Sequence, residues 1–250
     1  MEVDLNADVG EGMPDDAAIL DLVTSANIAC GGHAGNAELM IATVRAARQR
    51  GVAVGAHPSY PDREHFGRTS LTLSSHELER AVIEQIGALA DVARAADVRL
   101  SHVKPHGALY NDAARDAERA GTVARAVAHF DPTLILVGLA GSALPLAGRA
   151  LGLRVAAEAF CDRAYEKDGS LRARSLPGAL LADAKLAADQ ALDIATCGQV
   201  RLASGGVLAV RAQTLCIHGD TRDAALLAAA VRSALEQGGV AIRPLGVIVA

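Results

Sequence analysis

The feature that most constrains this chain is an alternation inside its short β-like runs, where every second residue is polar or charged. In the first run Val3, Leu5 and Ala7 fall on one side of a strand and Asp4, Asn6 and Asp8 on the other, because successive strand side chains point to opposite faces. The same split separates Val103 from His102 and Lys104, and Leu215 and Ile217 from Thr214, Cys216 and His218. Seven runs are expected as strands: Val3–Asn6, Ser25–Ala29, Ala53–Ala56, Leu100–Lys104, Leu134–Val137, Val155–Glu158 and Thr214–His218. Between them lie Ala-rich segments of helical periodicity, at Ala37–Arg50, Ser75–Ala96, Ala113–His129, Ala179–Ala195 and Arg222–Gln237. Ser74 and Glu77 have the spacing of a capping box at the start of the second. Strand and helix in alternation point to βα units around a parallel sheet.

Helices cover the outer face of such a sheet, so the polar half of each strand has one place to go: the interior or the mouth of a closed barrel. Burying an unpaired ionised group costs several kcal/mol, so this interior is tolerable only where charges pair, bind a ligand or hold a metal. An antiparallel sheet with its polar face in water fits poorly with the long helical segments between runs. The expected architecture is therefore α/β, a parallel β/α barrel spanning residues 1–250 as one domain, with a long rim excursion over 161–213.

Of the 250 residues 51% are hydrophobic, enough for one large core, while Trp is absent and aromatics make up 2%, so Ala, Leu, Val and Ile must fill it. A net charge of -5 without any Lys/Arg run excludes the electrostatic footprint of a nucleic-acid binder. No apolar stretch of about 20 residues offers a membrane span, and the N-terminus is charged where a secretory signal would be basic and then apolar. A cytoplasmic protein is expected. Cys30, Cys161, Cys197 and Cys216 form no CxxC pair, which suggests reduced thiols.

The chemistry gathers at strand ends. Asn6-Ala7-Asp8-Val9-Gly10-Glu11-Gly12 places carboxylates among turn-forming glycines, where a strand-end Asp suits a general base, a metal ligand or a turn. Asn27 begins a segment in which glycines surround His33, and His57 is followed by two prolines that stiffen its presentation. Phe66-Gly67-Arg68 brings Arg68 toward an anionic group or lies on a surface loop. His102, Lys104 and His106 fall within five positions, where a Lys either has a lowered pKa or holds its charge against a carboxylate. Glu158, Asp162, Arg163 and Arg174 mix charges in the rim loop, where the two arginines can clamp a carboxylate or form salt bridges. His218-Gly219-Asp220-Thr221 closes the last strand, with Thr221 able to cap the next helix.

Read in order, DLNADVGEG, SANIACGGHAG, GAHPSYPD, FGR, HVKPHGALYN, E-x-F-x-DR-x-Y-x-x-DG-x-L-x-x-R and LCIHGD resemble the LamB/YcsF family, the A subunits of 5-oxoprolinase, from Asp4 through Asp220. Gly32 stands where many members have Phe, Asn36 where Asp is frequent, and Thr69 where a second Arg often follows FGR. The resemblance implies a seven-stranded barrel of the glycoside hydrolase/deacetylase type. It also implies ATP-dependent opening of 5-oxoproline to L-glutamate, with ADP and phosphate as products and with partner subunits B and C. ATP, accompanied by Mg, would be a co-substrate, yet no GxxxxGK[ST] occurs, so the nucleotide binds either unconventionally here or on a partner.

Within that expectation Lys104 and Arg163 bind anions, Asp8 or Glu158 serves as base, and His57 and His106 transfer protons or share a metal with Asp8. The remaining substrate contacts are expected from Asn6, Asn27, His33, Arg68, Asp162, Arg174, His218 and Asp220. Similarity to metal-dependent deacetylases of this barrel type implies Asp8, His57 and His106 as an Asp-His-His set for a divalent ion. Two alternatives stand beside this: a metal-dependent amide or N-acetyl hydrolase, and a non-catalytic subunit that presents 5-oxoproline.

Overall fold

A computed structural model describes residues 1–220 and 223–249. Its strands are β1 (Glu2–Val9), β2 (Ser25–Ala29), β3 (Ala53–His57), β4 (His102–Val103), β5 (Ile135–Leu139), β6 (Val155–Phe160), β7 (Gln199–Arg201), β8 (Val207–Ala209), β9 (Thr214–His218) and β10 (Ala241–Ile242). Its helices are α1 (Asp16–Leu20), α2 (Ala37–Arg50), α3 (Ser75–Ala95), α4 (Gly107–Arg115), α5 (Ala117–Phe130), α6 (Ala143–Ala150), α7 (Ala184–Cys197), α8 (Ala224–Gln237) and α9 (Leu245–Ile248). Strands β1 to β6 pair in order, each parallel to the next; β9 then joins β6 to β1 and closes a seven-stranded barrel. β10 adds a short parallel pairing to the start of β1, and β7 with β8 forms an antiparallel hairpin in the rim excursion.

The alternation read from the sequence sets the inside and outside of this barrel. Val3, Leu5 and Ala7 are buried in the apolar layer under the helices. On the other face Asp4 stands opposite Thr214, Asn6 opposite Cys216 and Ser25, and Asp8 opposite His218 and Asn27. Gly55 shows how tightly this interior is filled: a Cβ there would lie 2.1 Å from Nε2 of His102, so only glycine leaves room for the imidazole. At the bottom of the barrel Asp4 accepts hydrogen bonds from the hydroxyls of Thr24, Ser25 and Thr214 at 2.9, 2.6 and 2.5 Å. Burial outweighs these bonds and pushes the Asp4 carboxyl up to about 6.

Local signals fixed several helix ends. The Ser74 side chain accepts from the Glu77 amide and Glu77 returns a bond to the Ser74 amide, completing the capping box, while Asn36 caps α2. The helix expected over Ala113–His129 is instead two, because the Asp116 carboxylate accepts from the amides of Glu118 and Arg119 and starts α5 afresh. The segment expected from Ala179 turns helical only at Ala184, where Asp183 caps it. β4 is shorter than the expected Leu100–Lys104, although the amides of Ser101, Lys104 and His106 go on donating to the carbonyls of Val54, Ala56 and Pro58 on either side of it. The expected cap at Thr221 and helix start at Arg222 lie outside the described residues. Among the described residues no helix is long and apolar enough to cross a membrane.

Candidate functional site

A cavity of about 410 Å³ opens at the C-terminal end of the barrel strands, lined among others by Asp8, His57, Lys104, His106, Arg163 and His218. This is the end where β/α barrels carry their ligands, because the loops after the strands converge there.

Lys104 is the centre of the charge network. Its ammonium, nearly excluded from solvent, lies 2.9 Å from Asp8 Oδ1, 2.9 Å from Glu158 Oε1 and 2.9 Å from Cys216 Sγ. Burial alone would lower the Lys104 pKa, but Asp8, Cys216 and Glu158 outweigh it and hold the group well above its usual value. Burial would likewise raise Asp8, and there the neighbouring His57 and Lys104 prevail, keeping the carboxyl well below the usual range. Asn27 steadies the arrangement, donating to Asp8 Oδ1 and Asn6 Oδ1 while accepting from His102 Nε2. Asn6 in turn donates to Glu158 and Thr214.

Two expectations change here. Lys104 does not hold out a free charge for a substrate anion, since protein acceptors already surround its ammonium. Glu158, expected to share base work with Asp8, is fully buried behind Lys104 and outside the cavity lining, where it serves as counter-charge. Its Oε2 and the Tyr110 hydroxyl are both buried, with no partner among the described residues other than each other; burial, with the charge of Glu158 and its hydrogen bond, pushes that hydroxyl well up. A strongly depressed pKa also makes Asp8 a weak general base, since base catalysis works best near the operating pH.

On the opposite wall His218 lines the cavity with its ring stacked on Phe160. Its Nδ1 is 3.0 Å from both carboxylate oxygens of Asp162, and its backbone amide donates to Asp162 Oδ2. Burial pushes Asp162 up, yet the field of the neighbouring His218 and the hydrogen bonds from its ring and amide prevail and the carboxyl stays low. Asp162 thus behaves as an orienting partner rather than a substrate contact, leaving His218 Nε2 for chemistry. Arg163 has two nitrogens committed to the carbonyls of Ala179 and Arg172, and burial beside Arg174 lowers it to about 10. Asp220 pairs with Arg68 and lies 3.6 Å from Arg174, so these three close the rim as an ion network.

Beneath the cavity floor Glu11, His33, His57 and His106 each offer one donor atom within 4.8 Å of the others. Asp8 joins this group through His57 Nε2 at 3.3 Å, but its Oδ1 is taken by Lys104 and Asn27. The atoms within 4.8 Å of one another thus come from Glu11 and three histidines, His33 among them, with the expected Asp8 standing alongside through its Oδ2. Burial and the nearby Asp8 and Asp220 push Glu11 well up; burial and the neighbouring imidazoles push His106 well down. Glu11 had been given no role from the sequence. The signal was its place between Gly10 and Gly12, both at positive φ, which swing the chain end back over the barrel mouth.

Fold and site together define a parallel seven-stranded β/α barrel with a charged interior and a polar ligand cavity at its C-terminal mouth. The sequence profile of the LamB/YcsF family matches residues 3–249, and the chain belongs to that family. Two curated relatives, each named as the A subunit of 5-oxoprolinase, come from Chloroflexus aggregans and Chloroflexus aurantiacus. They are 55% and 52% identical over 248 residues, covering 97% of this chain and 98% of each relative. The crystal structure of the lactam utilization protein from Thermus thermophilus superposes with a TM-score of 0.91 at 48% identity, covering 97% of this chain and 99% of that one. A peptidoglycan deacetylase from Bacillus subtilis, 16% identical with a TM-score of 0.51 over 99% of this chain and 89% of its own, shares the fold. Beside Gly32 the Gln85 amide fills the space that a side chain would need and bonds both backbone groups of Ser59.

Proposed function

We propose that this chain is the hydrolytic A subunit of an ATP-dependent 5-oxoprolinase, opening the lactam of 5-oxoproline to L-glutamate with ADP and phosphate. The observation that carries the reading is the Asp162–His218 pair at the wall of a cavity that also presents Arg163 and Arg174. A five-membered lactam bearing a carboxylate needs a cation for the carboxylate, a base for water and stabilisation of the oxyanion. The relatives named as A subunits of 5-oxoprolinase supply the substrate.

A lactam carbonyl is a poor electrophile, and phosphorylation of its oxygen makes the ring carbon open to attack. His218 Nε2 takes the proton of the attacking water, its tautomer fixed by Asp162 on Nδ1, and returns that proton to the departing ring nitrogen as the ring C–N bond breaks; the γ-glutamyl phosphate left behind is hydrolysed by a second water to glutamate and phosphate. The Arg163 and Arg174 guanidiniums hold the substrate carboxylate. Asp8 and Lys104 fix the electrostatics of the floor. Subunits B and C are the partners on this reading, and with no Walker-type loop in this chain the nucleotide binds either in an unconventional site here or on one of them.

The test is glutamate release from 5-oxoproline by this chain alone and with subunits B and C, each with and without ATP-Mg. Turnover is expected only in the complete mixture, and His218→Ala should lower it on the order of 10²–10⁴-fold. ATP-independent amide hydrolysis by the isolated chain would favour the metal-dependent amide hydrolase instead, and undiminished turnover by the His218 variant would leave this chain with the presentation of substrate alone.

A further inference from the structure

The histidine cluster under the cavity turns several electron-rich atoms toward one point. His57 Nδ1 lies 2.7 Å from the Lys104 carbonyl oxygen, and His106 Nε2 lies 3.0 Å from the Phe66 carbonyl oxygen. A carbonyl only accepts, so in each neutral ring the proton sits on that nitrogen. The other nitrogens, His57 Nε2 and His106 Nδ1, then point lone pairs at each other across 3.0 Å. Around the same spot stand Glu11 Oε1, 3.5 Å from His106 Nδ1 and 3.0 Å from His33 Nε2, and Asp8 Oδ2, 3.3 Å from His57 Nε2. Electron-rich atoms facing one another in a buried space call for positive charge between them.

The backbone is bent to keep this arrangement. Phe66, whose carbonyl fixes His106, has φ 55, a region that bulky residues seldom adopt. Next to it Gly67 sits so close that a Cβ would lie 2.8 Å from the His33 Cβ and 3.0 Å from the His106 ring. His33 stacks on His106 at 3.6 Å with the rings 1° from parallel. Two carbonyls locking two imidazoles with their free nitrogens inward is the outer-shell arrangement that orients metal-binding histidines.

We propose that Glu11, His33, His57 and His106 form a binding site for a first-row divalent transition ion of the Zn²⁺ type. Three imidazoles and one carboxylate match that class, whereas Mg²⁺ and Ca²⁺ take mostly oxygen ligands. Four donors about 2.0–2.1 Å from a tetrahedral ion stand roughly 3.4 Å apart, near the separations of 3.0, 3.0 and 3.5 Å in the cluster. Protons are the competing occupant: one on His57 Nε2 relieves the contact with His106, and one on Glu11 satisfies the lone pairs that remain. Because His57 and His106 line the cavity and Glu11 and His33 do not, the ion lies in the cavity floor, where it supplies a Lewis acid to a carbonyl or water. The site stands independently of the substrate assigned above, and its test uses neither substrate nor partner subunits.

The purified full-length chain is stripped with a chelator and titrated with Zn²⁺ and, separately, with Co²⁺, reading metal content after gel filtration, thermal midpoint and the visible Co²⁺ spectrum. One tightly held equivalent is expected, with a raised midpoint and the intense bands of a four-coordinate Co²⁺ centre. Glu11→Gln and His33→Asn should each weaken binding by more than the ~10–100-fold that outer-shell changes cost, while Asp112→Asn, on α4, whose carboxylate accepts from the Tyr60 and Ser70 hydroxyls and belongs to none of the four donors, leaves it unchanged. A wild-type chain that keeps no metal overturns the proposal in favour of a proton-bridged cluster. So does Co²⁺ binding whose spectrum and affinity are indifferent to both ligand variants.

Discussion

Replacing Lys104 by Met keeps most of the side-chain volume and removes the ammonium from the centre of the barrel. In the native chain that nitrogen is 2.9 Å from each of two carboxylates, Asp8 and the fully buried Glu158. Removing one member of a buried pair costs roughly 3–5 kcal/mol, because the remaining charge is left uncompensated. Glu158→Gln alone leaves Lys104 paired with Asp8 and should cost about 1–2 kcal/mol. In the double variant a thioether faces a neutral amide and one orphaned charge is gone. It should therefore be more stable than Lys104→Met alone, with a coupling of at least ~1 kcal/mol. Urea unfolding of the wild type, both single variants and the double variant measures this cycle. The pH dependence has a defined sign. Lys104, with His57, holds Asp8 down against burial. A depressed carboxylate stabilises the fold above its unfolded pKa of about 4, and that contribution is lost as pH falls through the folded value. The deficit of Lys104→Met should therefore be largest near neutrality and narrow on acidification. A loss below ~1 kcal/mol, or single-variant costs that simply add, would refute the assignment of Lys104 as counter-charge to both groups.

Asp4 behaves oppositely, because its folded pKa is raised from 3.8 to about 6. Its favourable contribution is complete below pH 4 and lost as pH rises through 6, so Asp4→Asn should gain roughly 3 kcal/mol on the wild type between those values, read by unfolding at a series of pH values. Gly55→Ala places a methyl where the His102 ring lies and should destabilise by about 1–3 kcal/mol, measurable as a lowered urea midpoint; an unchanged midpoint would contradict the packing at this position. Asp162→Asn in the assembled enzyme should reduce kcat by on the order of 10²-fold or more while leaving KM nearly unchanged, since it misorients a proton carrier without removing a substrate contact.

Much of this architecture was legible in the chain itself. A period of two within short runs, set between segments of helical period, is a local property of neighbouring residues, and it gave the parallel barrel with its polar interior. Strand-end motifs likewise brought Asp8, His57, Lys104, His106 and His218 to one mouth before any distance was known. One boundary differed because a local competitor acts there: Asp116 restarts a helix that Ala content alone would have carried through.

What the sequence could not decide was which polar residue faces which. Lys104 meets Asp8 across 96 positions and His218 meets Asp162 across 56, separations bridged only when the barrel closes. Closure turned Glu158 from a supposed base into a buried counter-charge and drew Glu11 into the histidine cluster. It also set the ring nitrogens of His57 and His106, because the carbonyls of Lys104 and Phe66 that fix them come from other segments. Alternation along a strand is encoded between neighbours, whereas the protonation and pairing of buried groups depend on the field and hydrogen bonds of everything packed around them.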